Sequence, residues 1–260
     1  IRPISSYNVK LKFKQGDNIR EKSITAYRSH HGPITHMTDD KWTSTALMWK
    51  PIQALTQSYV RTTMQNQEGY NKMMDMRTNS SNNTVYADVK GNIAYYHGNF
   101  IPKRDIKFDY SEPVDGSNPS TDWKGLHSLA ESIRVINPPN GWIQNCNSTP
   151  FTSAGEFSPK KENYPSYMSR DEENFRSLHA IRLLKESMDL DLDKLIKLAY
   201  DPYLPAFELL IPGLIKAYDQ SEKEVALSAP IEILRNWDFA VSKESVAMTL
   251  AHYYGTNYLK

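Results

Sequence analysis

The segment Gly141 to Pro150 concentrates side chains that could do chemistry. Asn145 and Asn147 lie two residues apart beside Cys146, Ser148 and Thr149, just after the apolar pair Trp142 and Ile143, whose character predicts a strand. A carboxamide presented from the turn-prone exit of a rigid element can aim its NH2 at developing negative charge. The same residues also make an ordinary structural Asx turn, and composition alone favours that reading. Cys146 is the single cysteine of the chain, which rules out an internal disulfide and any multi-cysteine metal cluster. His30, His31 and His36 invite a metal, but adjacent histidines in a strand point to opposite faces, so a shared ion is not expected. Asp189, Asp191 and Asp193 imitate the start of a calcium loop. Lys194 stands where its glycine belongs and Tyr200 where its glutamate belongs, which excludes that motif.

The elements that must position these groups can be read from periodicity. Val9, Leu11 and Phe13 alternate with Lys10 and Lys12, the pattern of a strand with one wet face. Gln15-Gly16-Asp17-Asn18 supplies a turn to a second extended run, Ser23 to Tyr27. Residues 42–78 read as a helical block, with Pro51 in a first turn and Ile52, Leu55, Tyr59 and Thr62 on one stripe. After a polar loop, Asn79 to Thr84, two strands (Thr84 to Val89 and Ile93 to His97) flank the turn Lys90-Gly91-Asn92. Residues 98–122 read as an ordered loop. From Asn174 onward the period is helical, with Phe175, Leu178, Ile181 and Leu184 on one stripe and Asp191 as the N-cap of Leu192 to Tyr200. Residues 1–173 are therefore mainly β with an inserted helical block, and 174–260 mainly helical. Such segregation argues an α+β fold.

Bulk properties exclude more than they identify. The 31 Lys and Arg against 30 Asp and Glu leave no long-range field that would draw nucleic acid. No apolar run approaches the ~20 residues of a membrane-spanning helix, so membrane insertion is not expected. Ile1 is followed directly by Arg2, Pro3 and a polar stretch without an initiator Met, which reads as a cut end.

Tyr27-Arg28-Ser29-His30-His31-Gly32-Pro33, Ala87-Asp88-Val89-Lys90-Gly91-Asn92-Ile93-Ala94-Tyr95, Ile101-Pro102-Lys103-Arg104, Asp122-Trp123-Lys124-Gly125-Leu126, Asn137 through Pro150, and Asn236-Trp237-Asp238 form an ordered set of segments. In order and spacing that set resembles the penicillin acylase family. Phe239 departs from the pattern, which has glycine there. Acyl-homoserine-lactone and cephalosporin acylases are relatives of that family.

The resemblance implies part of an αββα N-terminal nucleophile hydrolase sandwich. In such enzymes a Ser at the head of the large chain attacks an amide carbonyl, and its own α-amine takes the proton. With a pKa of ~7.7–8.0 an α-amine is partly neutral at working pH. The resemblance places an oxyanion donor on Asn147, a supporting role on Asn145, and on Arg176 an arginine that organises the site. Ser148 replaces an asparagine common in the family. The nucleophile is expected to be missing: Ser5 and Ser6 are not first residues, and Ile1 has neither hydroxyl nor thiol.

Asp105, Asp109, Glu112 and Asp115 could offer hard oxygen ligands to calcium, which some penicillin acylases bind, although the family's later Asp ligand has no clear match after Tyr164-Pro165. No other cofactor is implied. The expected partners are the remaining parts of the same precursor, a small chain and a nucleophile-bearing segment, together with a small N-acyl substrate. The expected location is periplasmic or secreted. The rival reading is a non-catalytic binding or scaffold protein that keeps the fold, with Trp42, Trp49, Trp123 and Trp142 lining a recognition surface.

Overall fold

The computed structural model describes residues 2–79, 82–222 and 224–258. Ile1, with the cut end read from it, and Ser80 and Ser81 of the polar loop lie outside the described residues. The chain divides into two compact units. One comprises the residues up to Ile143 together with Phe157–Arg170, and the other Gln144–Glu156 together with the residues from Asp171 onward.

The first unit begins with an antiparallel hairpin, β1 (Ser5–Gln15) and β2 (Asn18–Arg28), in unbroken register from Ser5↔Arg28 to Gln15↔Asn18. Gly16, at φ 62°, takes the first place of the two-residue loop, where hairpin twist favours a positive φ. The alternation is present, but the face predicted to be buried is largely open: Leu11 and Phe13 are exposed and Val9 is half-buried. The reason is topological, because β1 and β2 form a two-stranded sheet by themselves.

After Arg28 the chain turns instead of continuing as a strand. The Ser29 N–H donates to the Gly32 carbonyl at 2.9 Å, and the Gly32 N–H returns a bond to Ser29 at 3.2 Å. A Cβ on Gly32 would stand 2.0 Å from the Thr45 carbonyl oxygen, so only glycine passes here. A short pair, β3 (Ile34–Met37) and β4 (Trp42–Ser44), follows.

The predicted helical block resolves into α1 (Pro51–Arg61) and α2 (Gln67–Met74). Asn66 caps α2 by accepting from the Gly69 N–H at 2.8 Å. The face of α1 is opposite to the one expected. Ile52, Leu55 and Tyr59 are exposed, with Tyr59 at 72%, while Gln57 is buried. Its Oε1 accepts from the Thr78 N–H at 2.9 Å and from the Thr78 hydroxyl, so a hydrogen-bond demand at Thr78 sets the roll of the helix.

The core beneath gathers Tyr70, Met73, Met74, Ala94, Tyr96 and Leu129. It is backed by a three-stranded sheet in the order β5 (Asn83–Ala87), β6 (Ile93–His97), β7 (Arg134–Ile136). Asp88 closes the β5–β6 turn by accepting from the N–H groups of Lys90 and Asn92, with Gly91 at φ 82°. Residues 98–122 form an ordered loop, as expected, with one 3-10 turn at Pro119–Thr121.

The second unit is helical: α3 (Phe175–Glu186), α4 (Leu192–Ala199), α5 (Pro205–Gln220), α6 (Val225–Arg235) and α7 (Val246–Tyr258). Asp191 caps α4 through the Lys194 N–H at 2.8 Å. Its core joins Ile211, Leu234, Trp237, Ala247 and Ala251. The predicted stripe of α3 is only partly inward, since Phe175 and Leu178 are exposed and the polar Ser177 is buried. Phe239 adopts φ 58°, the backbone that a glycine takes readily. It is held there by ring packing on Trp237 and Tyr203 and by a 2.8 Å bond from the Leu204 N–H to its carbonyl.

Candidate functional site

Residues 142–148 form no strand, contrary to the apolar pattern of Trp142 and Ile143. Gln144 shows what replaces a ladder. Its N–H donates to the Ser153 carbonyl at 2.8 Å, and its buried side-chain NH2 donates to the Ser177 hydroxyl at 2.9 Å. The segment is thus fastened to the first turn of α3. A second tie, from the Thr149 N–H to the Glu172 carbonyl at 3.1 Å, fastens its other end.

Asn174 is the centre of this arrangement. Its Oδ1 caps α3 by accepting from the Ser177 N–H at 3.1 Å, and its NH2 donates to the carbonyls of Cys146 and Asn147, each at 3.2 Å. One side chain therefore starts the helix and holds two consecutive backbone carbonyls. Asn147 itself sits at φ 54°, in the left-handed region that asparagine tolerates better than most residues.

The Asn147 side chain is exposed, and its Oδ1 accepts from Arg176 NH1 at 3.5 Å. Arginine has no acceptor, so the amide atom facing it must be the oxygen. The NH2 is then turned away from the guanidinium, free to donate. Asn147 and Arg176 are thus brought together. Asn145 is half-buried, and among the described residues no hydrogen bond joins it to the pair. Ser148 is fully buried, away from the exposed Asn147 side chain.

Cys146 is no rival nucleophile. Burial pushes its thiol pKa up, Glu173 adds to that, and the pull of Arg176 does not reverse it, so the neutral form persists.

The carboxylates proposed for calcium are not gathered. Asp105 accepts from the Lys107 N–H, Asp109 from the N–H and hydroxyl of Ser111, and Asp115 from those of Ser117. Each closes its own local turn, and among the described residues they form no convergent group of three. Glu112 makes no such group either. The tryptophans do not share one environment: Trp42 and Trp49 are exposed, whereas Trp123 and Trp142 are half-buried. Arg104 lies over the Trp123, Tyr110 and Tyr167 rings, at 6.0, 5.2 and 5.9 Å from their centroids.

Two residues of the site escaped sequence reasoning as site residues, Asn174 and Gln144. Asn174 carried a readable signal, a capping residue before a helical period. Nothing local announced that its amide would reach back 27 and 28 residues.

The opposite surprise concerns His30 and His31. Their rings lie 3.8 Å apart, both beside Asp122, because they occupy the turn closed by Ser29 and Gly32 and not a strand. The expectation that they diverge is corrected by that turn.

The family model described as penicillin amidase matches residues 1–260. Penicillin G acylase of Escherichia coli is 43% identical over 68 residues, covering 26% of this chain and 8% of that protein. The structure of a thermostable penicillin G acylase from Alcaligenes faecalis superposes with a TM-score of 0.69 at 20% identity, over 92% of this chain and 42% of that one. The chain therefore spans less than half the length of the relatives it matches, and the structural likeness speaks for the fold.

Proposed function

Because the chain belongs to the penicillin amidase family, we propose that it supplies the oxyanion-binding part of an acylase that hydrolyses the amide bond of small N-acyl compounds, penicillin-like or N-acyl-homoserine-lactone-like. The observation that carries this reading is the Arg176–Asn147 contact, which engages the amide oxygen and leaves the amide NH2 as an outward donor. Such a donor is useful when it is fixed before the reaction, since reorganisation then costs nothing at the transition state. The backbone carbonyl of Asn147 is held by the Asn174 amide, and its side-chain oxygen is contacted by Arg176 at 3.5 Å.

The nucleophile in this proposal is a Ser with a free α-amine on another segment of the same precursor. Its amine acts as base and then returns the proton to the leaving nitrogen, while Asn147 stabilises the tetrahedral oxyanion. The Arg176 charge disfavours a second positive charge nearby and so helps keep that amine neutral. The isolated 260-residue chain is accordingly inactive, and the intact protein acts as a periplasmic or secreted enzyme.

The test is Asn147→Ala and Asn147→Asp in the intact, processed enzyme, assayed on a chromogenic N-acyl anilide. Loss of one oxyanion donor is expected to lower kcat by about 10²–10³ with little change in KM. Asn147→Asp is expected to be at least as damaging, because it presents a repelling acceptor. Near-normal turnover in Asn147→Asp would remove this residue from the mechanism.

A further inference from the structure

The turn after β2 and the loop between β6 and β7 meet at three side chains outside the oxyanion site, all in the first unit. His30 Nε2 lies 3.3 Å from Asp122 Oδ1, and His31 Nδ1 lies 3.8 Å from the same oxygen. These are the three His, Cys, Asp or Glu residues that converge among the described residues, with one ligand atom from each within 4.8 Å of the others. We propose that His30, His31 and Asp122 form a binding site for a divalent transition-metal ion of the zinc type.

The argument starts from His31. Its Nε2 lies 2.8 Å from the Gly116 carbonyl oxygen, which only accepts, so Nε2 carries the proton. In the neutral ring Nδ1 is then a bare lone pair, and it faces a carboxylate oxygen that is also a lone pair. At 3.8 Å the two are too far apart for a hydrogen bond. Around one ion with ligands at ~2.0–2.1 Å, neighbouring ligand atoms of a tetrahedron stand about 3.3–3.5 Å apart. The His30–Asp122 separation of 3.3 Å has that value, the His31–Asp122 separation of 3.8 Å needs a small contraction, and the two imidazole ligand atoms, within 4.8 Å of each other, must close to the same value. The imidazole N–H to Gly116 is the outer contact by which metal-ligating histidines are oriented. Gly116 is suited to give it, since a Cβ there would lie 3.0 Å from His31 Nε2.

The donor set and access fit the same ion. Two imidazoles and one carboxylate suit zinc, nickel or cobalt better than calcium, which prefers oxygen. Asp122 offers one oxygen, because Arg2 NH1 holds Oδ2 at 3.1 Å. The three side chains are 21–32% exposed, which leaves a coordination position open to water. Arg2 opposes binding through its charge. Metal would join the β2–β3 turn to a loop 92 residues away in sequence.

The experiment uses the intact protein in metal-free buffer, titrated with zinc by calorimetry, and with cobalt by visible absorption. One zinc ion per chain and a cobalt spectrum of low coordination number are expected. His31→Ala and Asp122→Asn should each weaken zinc binding at least about tenfold. His36→Ala, on β3 and outside the group, should leave it unchanged, and Arg2→Ala should strengthen it. If His31→Ala fails to fold, Asp122→Asn and the wild-type cobalt spectrum still decide. Absence of saturable one-to-one binding, or undiminished binding in Asp122→Asn, would overturn the site and show a plain histidine–aspartate pair. Neither outcome bears on the Asn147 variants, which read a different unit of the chain.

Discussion

Replacing Asn174 separates two roles that one amide performs. Asn174→Ala removes the cap on α3, worth about 1 kcal/mol, and two bonds to backbone carbonyls worth roughly 0.5–1.5 kcal/mol each, so a loss of about 2–4 kcal/mol in stability is expected. Asn174→Ser keeps an oxygen for the Ser177 N–H and loses only the carbonyl contacts, so about 1 kcal/mol of that loss should return. Activity should not return with it. Once the Asn147 carbonyl is released, the residue loses that hold on its φ of 54°, and relaxation is expected to swing its amide away from the oxyanion. A misplaced donor loses up to the worth of one oxyanion bond, ~2.7–4 kcal/mol, or about 10²–10³ in kcat. The assay pairs urea unfolding with turnover on the N-acyl anilide for the two variants in the intact enzyme. If Asn174→Ser recovers both stability and wild-type kcat while Asn147→Ala is impaired, the carbonyl clamp does not aim the donor and the reasoning fails.

Two further outcomes concern the fold. Gln57→Ala should destabilise by about 2–4 kcal/mol, combining the orphaned Thr78 N–H with a buried cavity, whereas Ile52→Ser on the same helix should stay within about 0.5 kcal/mol; equal effects in chemical denaturation would refute the assigned roll of α1. The Lys103 ammonium, 2.8 Å from Glu131, together with the Ser128 N–H holds that carboxyl down from 4.5 to about 2. A depressed carboxyl stabilises the fold above its unfolded value, and that contribution is lost as pH falls from about 4.5 through about 2. The Tm advantage of wild type over Glu131→Gln should therefore shrink across that window, and an advantage that grows on acidification would contradict it.

Local chemistry was legible wherever a few adjacent residues decide the outcome. Gly16 and Asp17 specify a hairpin loop, Lys90-Gly91-Asn92 a turn, and Asp191 a cap, and each element starts or ends where those residues stand. Faces were less legible, because they depend on what lies opposite. The stripe Ile52, Leu55 and Tyr59 has a clear helical period, yet α1 rolls to satisfy Thr78, a partner 21 residues from Gln57. Trp142 and Ile143 have strand character and no ladder, since Gln144 bonds to Ser153 and Ser177 instead. His30 and His31 depart from the strand pattern for a similar reason: their proximity follows from a two-bond turn that hinges on Gly32 and Thr45. Asn147 and Arg176 were found by resemblance, and only their meeting in space shows which atom of the amide is engaged.

The fastening of residues 144–149 to α3 also bears on positional precision. A surface loop ordinarily wanders more than the elements it joins, and a site holds its chemistry only within about 0.5 Å. Here the carbonyls of Cys146 and Asn147, the Gln144 amide and the Thr149 N–H are all anchored at or just before the first turn of one helix. The amide of Asn147 is thus tied to the same helix terminus that carries Arg176 in its first turn, so donor and guanidinium share one anchor.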